Sequence, residues 1–116
     1  MRRARFEVLL LVVALSGCTL LAGGRSGSDP RGLELKRRGA SVVLALEHYR
    51  RDTGRLPAHL FELLPKYLPQ LPDGLAADYR PQDNVFAFTY QQNSDGPTTT
   101  CTIEIGRRAW RCYDSL

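Results

Sequence analysis

The sequence predicts an α+β domain in which one N-terminal helix packs on a small three-stranded antiparallel sheet, and three observations predict it. Apolar residues recur at helical spacing over residues 33–52, at Leu35, Gly39, Val42, Leu46 and Tyr49. Residues 84–91, 99–105 and 108–113 alternate instead with a period of two, as strands with one buried face do. Finally, Cys101 and Cys112 fall where they face one another across the last hairpin.

Each element has its own local reason. Val43 widens the helix stripe, while Glu34, Lys36, Arg37, Glu47, Arg50 and Arg51 lie on the other side and take the solvent. Gly54 stops the helix, because glycine accepts the left-handed backbone of a C-cap, and Leu56-Pro57 marks the exit. Residues 58–64 allow a short second helix presenting Leu60, Leu63 and Leu64 before Pro65. Residues 66–73, punctuated by Pro69 and Pro72, form an extended strap. In the strand 84–91, Phe86, Phe88 and Tyr90 share one face and Val85, Ala87 and Thr89 the other. Asn93-Ser94-Asp95-Gly96-Pro97 is a connector.

The last two strands flank Gly106-Arg107, and glycine at the first central position suits a type II′ turn. Pairing Ile105 with Arg108 then sets Ile103 opposite Trp110 and Cys101 opposite Cys112, about 4.5–5.5 Å apart and within disulfide reach. A two-residue turn makes the cysteines a wide, hydrogen-bonded pair, the less comfortable kind for a bridge. A four-residue loop with the same pairing removes that difficulty. Cys101, Ile103, Ile105, Trp110 and Cys112 share the covered face; Thr102, Glu104, Ala109, Arg111 and Tyr113 share the other.

The N-terminus is a secretory layout: Met1-Arg2-Arg3-Ala4-Arg5, an apolar run from Val8 to Leu15, then small residues. Leu15-Ser16-Gly17-Cys18 resembles the lipobox of bacterial lipoproteins. That resemblance implies a diacylglyceryl group on the Cys18 thiol, which becomes the first mature residue after removal of residues 1–17. Thr19 is not aspartate, so sorting logic in a Gram-negative host implies the outer membrane, on its periplasmic face, over the inner membrane. The alternative is an uncleaved anchor over residues 6–22 with an incidental cysteine, although Ser16-Gly17-Cys18-Thr19 interrupts a run that needs about 20 apolar residues to span. Residues 19–32 hold four glycines, two serines and a proline, so residues 18–32 are expected to be a lipidated N-terminus and flexible tether, leaving residues 33–116 as the domain. With Cys18 lipidated, Cys101 and Cys112 are the cysteines left in an exported, oxidising setting, which predicts a structural disulfide.

The same processing takes the formal charge from +4 to about +2, with 13 basic and 11 acidic residues remaining. A nucleic-acid partner is not expected, since it calls for a concentrated basic face. Lys36-Arg37-Arg38, Arg50-Arg51 and Arg107-Arg108 are short clusters whose plain reading is a solvated surface; contact with anionic lipid or an acidic partner is the alternative. His48 and His59 are isolated, so no metal ligand set is expected. No nucleophile–base pair or phosphate loop stands out, and Glu47 or Asp52 alone does not make a site. The expectation is no enzyme, no cofactor and no small-molecule substrate.

One further stretch carries a resemblance. Ala45-Leu46-Glu47-His48-Tyr49-Arg50-Arg51-Asp52-Thr53-Gly54-Arg55-Leu56-Pro57, followed by Leu63-Leu64-Pro65-Lys66-Tyr67-Leu68-Pro69-Gln70-Leu71-Pro72, resembles the headgroup of type IV pilin-like proteins, especially the major pseudopilins of type II secretion. The resemblance implies a helix ending in a Tyr-x-x-Asp-x-Gly turn, a leucine-proline segment and a small antiparallel sheet. It departs at the N-terminus: Arg5 precedes Phe6 where pilins have a glycine, Glu7 stands too near, and Gly23-Gly24 break the run. The expected role is therefore a non-catalytic, lipid-anchored module of the envelope, bound to the membrane through Cys18, with an envelope or secretion-system protein as the kind of partner expected. The alternative is a divergent pilin or pseudopilin subunit.

Overall fold

The computed structural model describes residues 25–115; the signal segment and Cys18 lie outside the described residues. Helix α1 spans Pro30–Thr53 and starts three residues earlier than its apolar pattern. Its start is set by Asp29, whose side chain accepts from the Gly32 amide at 3.2 Å, and by Pro30, whose fixed φ suits a first turn that needs no amide donor. Residues 30–32, expected in the tether, are thus the first turn of the helix. Its end is Gly54, at φ 82°, whose amide donates to the Arg50 carbonyl. The buried stripe holds Leu35, Gly39, Val42, Val43, Ala45 and Leu46, the expected face with Ala45 added.

The α+β class holds, but the sheet has four antiparallel strands in sequential order rather than three. They are β1 (Ala76–Arg80), β2 (Val85–Gln91), β3 (Thr98–Glu104) and β4 (Arg111–Ser115). The strand absent from the sequence reading is β1, where Ala76-Ala77-Asp78 offers neither β-branched residues nor alternation. It forms because Asn84, at φ 59°, closes a tight connection that lays β1 back along β2, with Tyr79 opposite Phe86. Tyr79 then turns inward and donates to the Pro57 carbonyl at 2.6 Å.

The expected short helix at residues 58–64 is a single 3₁₀ turn, Leu60–Leu63. Pro57 and Pro65 leave too few residues between them for a hydrogen-bonded α-helical nucleus to propagate. Leu63 is nonetheless fully buried.

The turn between β3 and β4 is also corrected, while its register is kept. Cys101 pairs with Cys112 and Thr102 with Arg111, as expected. The tight turn lies one residue earlier than expected: the Arg107 amide donates to the Glu104 carbonyl at 2.9 Å, and Gly106 sits at φ 100°, the third position of that turn. Regular pairing stops at Thr102–Arg111, and residues 105–110 make a longer loop. That length lets Trp110 reach the core instead of remaining in the ladder.

Trp110 joins two apolar clusters. One gathers Val42, Val43, Leu46, Leu63, Phe86 and Ile103; the other gathers Leu35, Phe88, Tyr90 and Cys101; and Trp110 packs against both. Its ring meets Phe88 edge-on at 5.3 Å and Phe86 at 6.4 Å. Above it lies Gly39, where an added Cβ would come within 3.0 Å of the indole and 3.3 Å of the Phe86 ring. Gly39→Leu is therefore expected to destabilise the fold by about 1–3 kcal/mol through overpacking. Thermal melts with near-ultraviolet circular dichroism check this, since displacement of Trp110 should weaken its ordered aromatic signal.

Candidate functional site

The region that ties the folded domain to the chain preceding it is built around the Cys101–Cys112 disulfide. The two Cα atoms lie 4.1 Å apart, the spacing of a narrow pair, so the wide pair expected from a two-residue turn does not arise. Cys101 is fully buried beneath α1 and Cys112 is partly covered. Across the bridge runs Gly27, buried and at φ 77°. A Cβ there would collide with the Cys112 sulfur and crowd that of Cys101, so the backbone of the incoming chain lies directly on the disulfide and glycine is the residue that fits.

Two residues later Asp29 does double duty. One carboxylate oxygen caps α1 and the other accepts a short hydrogen bond from the Tyr90 hydroxyl, with Gln92 Nε2 at 3.4 Å. Burial pushes the Asp29 carboxyl up, but the Tyr90 hydroxyl and the Gly32 amide outweigh it and hold the group below its ordinary value. Burial and the negative Asp29 acceptor push the Tyr90 phenol up to about 12. Gly32 belongs to the same contact, since any Cβ there would strike the Tyr90 oxygen. This clasp escaped the sequence reading because Gly-Ser-Asp-Pro-Arg-Gly has a linker's composition. Asp29-Pro30 was the available signal, an N-cap residue followed by proline at the first helical position.

The other end of α1 holds the residues of the pilin-like stretch, and they act as structure. The Tyr49 and Tyr67 rings lie 5.3 Å apart. Tyr67 donates to Asp52 at 3.0 Å, Thr53 Oγ1 donates to the Tyr49 carbonyl at 2.8 Å, and Pro57 is fully buried under Tyr79. Burial, then the negative charge of Glu62, pushes the Tyr79 phenol up to about 12. The turn is a tyrosine-lined joint between helix, strap and β1.

The arginine clusters separate by use. Arg37 and Arg38 both bind Glu34, and Arg38 also donates to the Asp73 carbonyl at 2.7 Å, which consumes that cluster. Arg50 donates to Asn84 Oδ1 at 2.8 Å and reaches the Ile105 carbonyl, bracing the loop after β3. Arg51 and Arg108 remain on the surface and share with Arg50 and Glu47 a cleft of about 340 Å³. Arg108 lies 3.6 Å from Glu47, whose other carboxylate oxygen is buried without a partner. His48 is exposed and His59 stacks on Phe61 at 5.3 Å. Among the described residues, no group of three His, Cys, Asp or Glu side chains is placed to hold a metal. No described helix is long and apolar enough to cross a membrane.

Replacing both Cys101 and Cys112 with serine is expected to cost about 2–5 kcal/mol, since it removes the cross-link and leaves hydroxyls under α1. Denaturant melts give the loss, and thiol titration of the wild type without reductant should find neither cysteine free. Asp29→Ala should cost about 1–3 kcal/mol, from the lost cap and the stranded Tyr90 hydroxyl. The charged-state part of that cost is present above the ordinary carboxylate pKa and fades as pH falls through the lowered value in the fold. Melts of wild type and Asp29→Ala should thus converge on acidification from pH 6. Tyr79 and Tyr90 have the opposite sign: their contribution is whole below about pH 10 and lost as pH rises toward 12.

No protein-family model, curated protein or solved structure matches this chain.

Proposed function

We propose that this chain is a lipid-anchored, non-catalytic structural or binding module of the cell envelope. It is held by a diacylglyceryl group on Cys18, on the periplasmic face of the outer membrane, and carries a pilin-headgroup-like domain. The observation that carries this reading is the start of α1. The helix is capped at Asp29, and the chain before it crosses the disulfide through a left-handed Gly27. A pilin packs its filament through one long apolar helix that runs unbroken into the headgroup; here the helix has its own beginning. A tethered domain needs such a beginning.

The tether is also short. From Cys18 to Gly27 there are nine residues, which reach about 30 Å at most, against about 45 Å for a tether running to residue 32. The domain is thus held near the surface that takes the acyl chains, with the disulfide end toward the attachment point. For the absence of catalysis the support is chemical. Asp29, Tyr67, Tyr79 and Tyr90, whose protonation is displaced from the ordinary value, each make a hydrogen bond that joins two elements. The pilin-like part of the proposal rests on the order of elements, helix, tyrosine-lined turn, leucine-proline strap and antiparallel meander.

Metabolic labelling with a fatty-acid analogue should tag the wild type and leave Cys18→Ala untagged. Intact mass should place the mature start at Cys18, and the wild type should resist salt extraction, because two or three acyl chains hold where one does not. Label retained by Cys18→Ala would overturn the anchor. Filaments carrying this protein in sheared surface fractions would instead favour the pilin subunit.

A further inference from the structure

We infer that the end of the domain farthest from the tether is a docking site for an acidic, apolar-flanked segment of a partner protein, read by Arg51, Arg55 and Arg108. Arg50 and Arg51 at the end of α1 and Arg108 after β3, far apart in sequence, are brought to one cleft of about 340 Å³, with Glu47 on its wall. Arg50 is also the wall between that cleft and a second, larger groove of about 590 Å³, floored by Tyr49, Leu56 and Pro81 and edged by Arg55 and Glu62. Arg50 itself is committed to Asn84 and Ile105, and so acts as a fixed partition.

The remaining arginines have capacity to spare. Among the described residues neither Arg51 nor Arg55 has a carboxylate partner, and Arg108 has a single one at 3.6 Å with three-quarters of its side chain exposed. Such a surface pair contributes little and is exchanged readily for a better carboxylate. Guanidinium groups bind carboxylates through paired donors, and an apolar floor beside them accepts the side chain next to the acid. Charge and floor together therefore select a peptide over a lone anion: acidic residues against the arginines, an apolar neighbour over Leu56 and Pro81. The end of α1 adds the negative pole of the helix, which the arginines more than offset.

Membrane lipid is the rival anion, and the apolar floor beside the arginines suits a side chain better than a phosphate headgroup. The 24 residues of α1 set this end about 36 Å from the Asp29 cap, at the opposite end of the helix from the tether. This orientation rests on the lipid anchor at Cys18; the binding chemistry does not.

The test uses the full chain in nanodiscs of zwitterionic lipid and two fluorescein-labelled peptides, Gly-Glu-Leu-Glu-Glu-Gly and its glutamine counterpart. Wild type should bind the glutamate peptide at least tenfold more tightly by anisotropy, with affinity falling as salt rises. Arg51→Glu/Arg55→Glu/Arg108→Glu should lose that preference at least tenfold, whereas Arg37→Glu, on the side of α1, should keep it. If the triple reversal does not fold by circular dichroism, Arg55→Gln/Arg108→Gln replaces it. Cys18→Ala should bind as wild type does, so failure of the anchor and failure of the docking site are read separately. Equal binding of the two peptides, or an unchanged triple variant, would overturn the inference. Capture of vesicles containing anionic phospholipid through these arginines, without peptide binding, would assign the surface to lipid and overturn it too.

Discussion

One helix has to cover the inner face of a four-stranded sheet, and the close approach at Gly39 makes this possible. Without a side chain there, α1 settles low enough for Trp110 to slide beneath it and meet Phe86 and Phe88 edge-on. The indole then fills the gap that a single cylinder leaves over a twisted sheet, and it links the Leu46 cluster to the Leu35 cluster. The long loop at residues 105–110 follows from the same need, since a two-residue turn would have held Trp110 in the ladder opposite Ile103. Arg50 fastens that loop by its Ile105 carbonyl. The contact between helix and sheet therefore reaches into the loop geometry and from there into the arginine cleft.

The parts legible in the sequence were those in which a local period carries the whole signal. Phe86, Phe88 and Tyr90 alternate strictly, and so do Cys101 and Ile103, so faces and register followed from counting, and the cysteines met as that count required. Strand β1 gave no such signal. Its one inward aromatic, Tyr79, gains its place from a hydrogen bond to Pro57, 22 residues away. The turn at Gly106 slipped by one residue because turn propensity judges two positions, while the loop answers to Trp110 several residues on.

The N-terminal clasp was hidden for a different reason. Composition treats glycine and serine as flexible, yet Gly27 and Gly32 are required for contact: one lets the backbone lie on the disulfide and the other leaves room for the Tyr90 hydroxyl. What composition cannot show is a glycine fixed in place by the absence of its side chain. Asp29 turns that contact into a joint. It caps α1 and holds β2 through Tyr90, and it does so beside the bridge that binds β3 to β4. Helix, both inner strands and the edge strand meet within a few residues of the point where the chain enters. A domain held from that point is held at its most cross-linked corner, where tension on the tether meets a covalent bridge and a capped helix before it meets the apolar core.

The opposite corner is organised on another principle. There the polar groups are charged rather than neutral, and the carboxylates are shared out: Glu47 faces Arg108, Asp52 accepts from Tyr67, and Glu62 accepts from the His59 amide. Glu34 shows the contrast, since it takes up both Arg37 and Arg38 on the flank of α1 and leaves that surface balanced. Arg51 and Arg55 have no carboxylate partner among the described residues, while the tyrosine-lined turn gives Asp52 a structural contact of its own.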